Sequence, residues 1–238
     1  MNKFNDLSDK DADLIKEKFH DILDGYKHFQ QRIISDFTYS PKYKPYVHSI
    51  RHRIKDEEHL LEKIRRKNQL ISSNNQEDFI DKDNFFTKIT DLVGVRVLHL
   101  YLRQFEYIHR AILESLANGD LALYEEPKAY TWDIESEEYF KGLEISTERK
   151  DSYYTSVHYV LKPRPDSTIT CEVQVRTLLE EAWGEIDHTI NYPKKHDDEN
   201  CQSQLKVLAR IISAGGHLSN SITVSYTHLR AHETGRNL

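Results

Sequence analysis

Apolar positions settle early into a helical rhythm. Leu14, Ile15, Phe19, Ile22, Leu23, Tyr26, Phe29 and Ile33 recur every three or four residues, so residues 9–36 are predicted to form one amphipathic helix. Ser8 offers the cap, with Asp11 three residues on, and Ser40-Pro41 breaks the run. Residues 46–55 are expected as a strand and 56–68 as a charged helix with Leu60, Leu61 and Ile64 inward. Ser72-Ser73-Asn74-Asn75 is expected as a loop and Phe79 to Ile89 as a helix. Val93-Gly94-Val95-Arg96-Val97-Leu98 is nearly continuous apolar, which suits a strand buried on both faces. Another helix is expected over 102–118, ended by Asn118-Gly119.

Strands are then expected at 121–125, 141–146, 155–162 and 168–175, and helices at 178–190 and 202–219. Helices and strands interleave without a regular βαβ alternation and without an internal repeat. The expected fold is therefore α+β, a mixed β-sheet flanked by helices. Val224 to Leu238 shows no amphipathic period and reads as a non-native tail. His228 and His232 within it have the spacing of a helical metal pair, but no third ligand accompanies them. The rest divides into an N-terminal helical segment (1–45), a core (46–193) and a C-terminal helix (194–223), in one globular domain.

Composition narrows the classes. Of 238 residues, 38% are hydrophobic and 30% charged, and 14 Tyr with 9 Phe supply bulk for a core. A net charge of -6 argues against indiscriminate binding to nucleic acid or to an anionic membrane. No apolar run reaches the roughly 20 residues that span a bilayer, and the first residues lack the apolar stretch of a secretory signal. Cys171, one of two cysteines, falls on the apolar parity of its strand, as a buried free thiol would. These features predict a cytoplasmic protein with no membrane contact.

The candidate chemistry is concentrated in alternating strands. Cys171, Val173 and Val175 alternate with Glu172, Gln174 and Arg176, so one face is apolar and the other carries a carboxylate, an amide and a guanidinium. Asp91 stands at the entry to the buried strand. Two carboxylates at strand ends, distant in sequence, could meet at one Mg²⁺ with phosphate oxygens; equally, Asp91 could cap a turn and Glu172 be solvated. Arg51, Arg53 and Lys55 share a strand face, and His59, Lys63 and Lys67 a helix face. Such a pair could surround a triphosphate, or be an ordinary charged surface, since Asp56, Glu57, Glu58 and Glu62 are interleaved. Tyr154, Ser156 and His158 share another strand face, where a tyrosine ring could carry a purine or pack in the core.

Three segments in order resemble the synthetase domain of RelA/SpoT-type alarmone synthetases. They are Asp91-Leu92-Val93-Gly94-Val95-Arg96, Lys150-Asp151-Ser152-Tyr153-Tyr154-Thr155-Ser156-Val157-His158, and Glu172-Val173-Gln174-Val175-Arg176-Thr177, the last running on to Trp183, His188, Tyr192 and Pro193. The resemblance covers roughly residues 46–193 and implies a nucleotidyltransferase-like synthetase fold. It also implies a pyrophosphokinase that moves the β,γ-pyrophosphate of ATP to the 3′-hydroxyl of GDP or GTP, giving (p)ppGpp and AMP. By the same resemblance, Arg53, Lys55 and Lys63 grip the ATP phosphates and Arg96 stacks on adenine. Asp91 holds Mg²⁺, and Glu172 activates the acceptor hydroxyl and touches the metal. Tyr154 stacks on guanine, Lys150 and His158 contact acceptor phosphates or sugar, Gln174 and Arg176 continue that face, and Lys141 orients phosphate.

The sequence departs from the family pattern at four places. Ser152-Tyr153 replaces Asn-Gly, Thr155 replaces Arg or Lys, His59 stands where serine is common, and Gly142 replaces an acidic residue beside Lys141. The altered acceptor segment keeps two other acceptors open, the tRNA 3′ end and adenosine nucleotides, as used by some stand-alone relatives. A non-catalytic nucleotide sensor is the rival of another class. Relatives of this size are often homo-oligomers, and some have an antitoxin partner. His20-Asp21 and His196-Asp197 are isolated pairs, so no metal phosphohydrolase domain is expected.

Overall fold

The structure, a computed structural model, describes residues 7–71, 78–191 and 196–235. The first helix, α1, spans Asp9–Tyr39, with the Ser8 hydroxyl accepting from the Asp11 amide at 3.1 Å. Its apolar stripe buries Ile15, Phe19, Tyr26, Phe29, Ile33 and Phe37. These side chains join Leu60, Leu61 and Ile64 of α2 (Glu57–Leu70), Phe105, Ile108 and Ile112 of α4 (Leu102–Ala117), and the strand valines in one core.

Six strands form one sheet: β1 (Ser49–Ile54), β2 (Val93–His99), β3 (Ala122–Thr131), β4 (Ser146–Arg149), β5 (Ser156–Lys162) and β6 (Cys171–Thr177). Their spatial order is β1-β2-β6-β5-β3-β4. The β2–β6 and β3–β4 pairs are parallel and the other three antiparallel, so the sheet is mixed and helix-flanked as expected. In β2 every residue is buried except half-buried Arg96, which matches its continuous apolar run. A side chain of α1 pins two strands: Gln30 donates to the carbonyls of Arg53 at 2.7 Å and Gly94 at 3.0 Å.

Several boundaries differ from expectation. The helix expected over Phe79 to Ile89 shrinks to α3 (Phe85–Lys88), because the Asp81 carboxylate accepts from the amides of Asp83 and Asn84 and holds a turn. β3 runs past residue 125 to Thr131 by absorbing Pro127 at register shifts between Glu125 and Lys128. Residues 134–142, in part expected as a strand, form α5 (Ile134–Gly142). Asp133 caps it by accepting from the Ser136 amide, and the edge strand β4 begins only at Ser146. After β6 the chain turns at once into α6 (Leu178–Asn191). The final helix, α7 (Glu199–Gly235), overruns both the expected end at 219 and the boundary set at 223, since no proline interrupts it. The expected loop at 72–75 and the Tyr192-Pro193 pair lie outside the described residues, as do the side chains of His228 and His232. No described helix is long and apolar enough to cross a membrane.

Candidate active site

Three cations and one carboxylate meet where β1 passes into α2. Lys55 leaves β1 with its amide bonded to the Leu92 carbonyl at 2.9 Å, which brings it to the turn carrying Asp91. Asp91 Oδ2 accepts from Lys55 Nζ at 2.9 Å and Lys63 Nζ at 2.8 Å, with Arg53 Nη2 at 3.7 Å. The Asp91 side chain is 9% exposed. Burial pushes its carboxyl upward, but the charges and hydrogen bonds of Lys63 and Lys55 prevail and pull it down to about 2.

Asp91 Oδ1 is also buried and has no hydrogen-bond partner among the described residues. A buried carboxylate oxygen without a donor fits a hard cation, which oxygen ligands of this kind hold. Among the described residues no group of three or more His, Cys, Asp or Glu could hold a metal unaided. An ion here would take Asp91 and complete its shell with phosphate oxygens, the usual habit of Mg²⁺.

Glu172 lies beside this cluster. In the parallel β2–β6 pair it faces Gly94, which in turn faces Arg53 across β1. The Thr170 hydroxyl donates to the Thr90 carbonyl at 3.0 Å, tying the start of β6 to the residue before Asp91. Asp91 and Glu172 thus belong to one region, and the negative charge of Asp91 acts on Glu172. Glu172 Oε1 pairs with His158 Nδ1 at 3.2 Å, and Oε2 accepts from Gln174 Nε2 at 2.7 Å. Burial pushes the Glu172 carboxyl up, yet the hydrogen bond and charge of His158, with Gln174, leave it below its ordinary value.

Sheet register extends the polar face sideways. Arg51 faces Arg96, Arg96 faces Gln174, Gln174 faces His158, and His158 faces Lys128. Directly opposed residues share a face, so these five form a row across five strands. Tyr154, just before β5, bonds through its hydroxyl to His158 Nε2 at 2.9 Å and to Gln174 at 3.5 Å. The Arg176 guanidinium lies 5.5 Å from the Tyr154 ring centroid. Two adjoining clefts open on the row. Arg53, Glu172 and Gln174 line one, Tyr154, Gln174, Arg176 and Asp187 the other, and Arg96 and Glu185 line both. A further hollow, walled by Trp132, Tyr153, Trp183 and His217, includes no member of the row.

The structure brings Arg53, Lys55, Lys63, Asp91, Arg96, Tyr154, His158, Glu172, Gln174 and Arg176 to this face. Lys150 reaches its rim: it pairs with Glu148 and lies 4.5 Å from the Tyr130 ring centroid. Lys141 is not brought to the row; it sits on the exposed last turn of α5, paired with Glu137 at 2.6 Å. The lysine beside His158 is Lys128, and Tyr130 packs edge-on against His158 at 4.8 Å between centroids. Sequence reading missed Lys128 and Tyr130 because it ended the strand at 125, before Pro127. Their shared parity, two residues apart, was the available signal. It also missed Glu181, which accepts from Arg96 at 3.0 Å.

The segment before β5 is strained at one point. Tyr153 has φ of 61°, a left-handed conformation that glycine adopts freely and a bulky L-residue rarely does. Its ring is held against Trp132 at 4.8 Å between centroids. The neighbouring Thr155 hydroxyl bonds Thr131 at 3.1 Å and is buried.

The family described as "Region found in RelA / SpoT proteins" matches residues 52–197. No curated protein sequence matches the chain. Among solved structures, the small alarmone synthetase 1 from Bacillus subtilis is 17% identical, with a TM-score of 0.64, covering 90% of this chain and 97% of that one. A structure of the Bacillus subtilis protein bound to its product pppGpp is 18% identical, with a TM-score of 0.61, covering 89% of this chain and 99% of that one. A GTP pyrophosphokinase family protein from Streptococcus pneumoniae is 19% identical, with a TM-score of 0.62, covering 91% and 96%. At these identities the likeness is one of fold.

Proposed function

This chain belongs to the RelA/SpoT family, and on that premise we propose that it is a pyrophosphokinase acting on ATP and a guanine nucleotide. The observation that carries the reading is the single polar sheet face on which the Asp91 cluster, Glu172 and Tyr154 converge. The Bacillus subtilis fold relative has been captured with pppGpp and with AMPCPP, which supports a guanosine product and an adenine donor here.

The roles follow from charge and position. Arg53, Lys55 and Lys63 outnumber the one carboxylate they share, so the cluster has positive charge to spare for a triphosphate. Asp91 would hold Mg²⁺, which would supply neutralisation of phosphate charge. Arg96, half-buried at the boundary of the two clefts, stands where an adenine can lie on its guanidinium. Tyr154, supported by His158 and Arg176, offers its ring to the acceptor base.

Glu172, ionised at neutral pH and held by His158 and Gln174, accepts the proton of the 3′-hydroxyl. The freed oxygen forms a bond to the β-phosphorus of ATP, the bond from that phosphorus to the oxygen bridging it to the α-phosphate breaks, and AMP departs. Little covalent chemistry falls to the protein; positioning and charge neutralisation supply the acceleration.

Asp187 on the acceptor rim weighs against a polyanionic tRNA and favours a mononucleotide. A panel of acceptors tests the reading. With ATP and Mg²⁺ supplied, AMP and a 3′-pyrophosphorylated product should appear with GDP or GTP and not with ADP or tRNA. A release of AMP confined to tRNA or ADP would overturn the acceptor assignment, and no AMP with any acceptor would overturn the enzyme.

A further inference from the structure

Three arginines, one from each of three neighbouring strands, close on a single buried carboxylate. Glu181 Oε1 accepts from Arg51 Nη1 at 3.3 Å and from Arg96 Nη1 at 3.0 Å, and Oε2 pairs with Arg176 Nη2. Both Glu181 and Arg176 are 3% exposed. Glu181 reaches these partners because α6 begins directly after β6, so its first turn folds back over the polar face. The first turn of a helix also favours an anion.

The surroundings are built for this contact. Gly184, one turn on, leaves room for the Arg176 guanidinium: a Cβ there would sit 3.0 Å from Nη1. Glu185 shares the outer pair, taking Arg96 at 2.6 Å and Arg51 at 3.4 Å, and is 49% exposed. Arg96 stands at the donor cleft and Arg176 beneath the Tyr154 ring, so Glu181 touches both halves of the site while Glu185 pairs only on the donor side.

We propose that Glu181 is the positioning residue of the cleft, a buried anion that sets Arg96 for the donor nucleotide and Arg176 under the acceptor platform. The inference rests on the pyrophosphokinase reading. Without the Glu181 charge, Arg96 and Arg51 keep Glu185, but Arg176 becomes a buried cation without its carboxylate and turns away from Tyr154. Removing Glu185 leaves Arg176 and Tyr154 as they are. Glu181 touches no substrate; its effect reaches both through the arginines.

Titration calorimetry with a non-hydrolysable ATP analogue and, separately, with GDP tests the assignment on the wild type, Glu181→Gln, Glu181→Asp and Glu185→Gln. Glu181→Gln should weaken both nucleotides by about tenfold or more, and Glu185→Gln the ATP analogue far more than GDP, since both of its arginine partners stand on the donor side. Glu181→Asp keeps the charge one methylene short and should weaken both in parallel by a smaller factor. It carries the test if thermal melting shows Glu181→Gln to be unfolded. A merely structural role would lower the melting temperature without this split between the two glutamates. Wild-type affinities in a folded Glu181→Gln, or a donor-only loss in both Glu181→Gln and Glu185→Gln, would overturn the proposal while leaving the pyrophosphokinase reading intact. A folded wild type that binds neither nucleotide would overturn both.

Discussion

At the scale of single residues, two carboxylates have opposite surroundings and, in the proposed reaction, different duties. Glu172 is held by an imidazole and an amide and kept ionised, as a proton acceptor at neutral pH must be. Glu172→Gln keeps the shape and loses the charge, so kcat should fall by at least about 100-fold while affinity for an ATP analogue stays within about twofold. A nucleotide sensor would show no such split. Asp91 is held by cations, and its carboxyl falls from the ordinary 3.8 to about 2. A folded-state value below the unfolded one stabilises above the unfolded value and is lost as pH falls through the folded one. The Asp91 contribution, about 2 kcal/mol, should therefore fade between about pH 4 and pH 2. Melting temperatures measured across that range should fall less steeply in Asp91→Asn than in the wild type. The alternation of Glu172, Gln174 and Arg176 was legible in the sequence because strand parity depends only on neighbours. Glu181 was not, since nothing in the sequence separates it from Glu180 and Glu185, and its role arises only when three strands meet.

At the scale of elements, the parallel β2–β6 pair is the device that unites the site. It sets Gly94 against Glu172 and Arg96 against Gln174, so segments some 80 residues apart share one face. The strands themselves were readable from apolar parity. The order in which they pair was not, because long-range pairing is decided by tertiary packing. Elements were misread where a side chain overrode local pattern: the Asp81 turn that shortens α3, Pro127 absorbed within β3, and the Asp133 cap that starts α5. Helix α6 must bring Glu181 over the sheet without crowding Arg176, and Gly184 provides the space. Gly184→Ala sets two effects against each other. Alanine favours the helix by about 1 kcal/mol, while its methyl meets the Arg176 guanidinium. The melting temperature should change little, yet GDP affinity should drop several-fold as Arg176 shifts under Tyr154. An unchanged affinity would show that Arg176 does not support the acceptor platform.

At the scale of the whole molecule, an acidic chain presents a cation-rich cleft. The net charge is -6, yet Arg51, Arg53, Lys55, Lys63, Arg96 and Arg176 face one side of the sheet, and among the described residues only Asp91, Glu181 and Glu185 form ion pairs with them. This separation suits a small polyanion and disfavours a long one. Affinity for the ATP analogue should fall by about tenfold between 0.05 and 0.5 M salt, as screening reaches the partly exposed Arg51 and Arg53. A salt-independent affinity would place the nucleotide elsewhere. In the proposed reaction one polar face joins the phosphate-gripping Asp91 cluster to Glu172, the activator of the acceptor hydroxyl. The most direct test follows the β-phosphorus of labelled ATP in the presence of Mg²⁺ and GDP, with wild type and Glu172→Gln side by side. The label should pass to a guanosine product in the wild type, with unlabelled AMP left behind, and remain in ATP with the variant. Label that stays in ATP in both, or that transfers equally in both, would contradict the account.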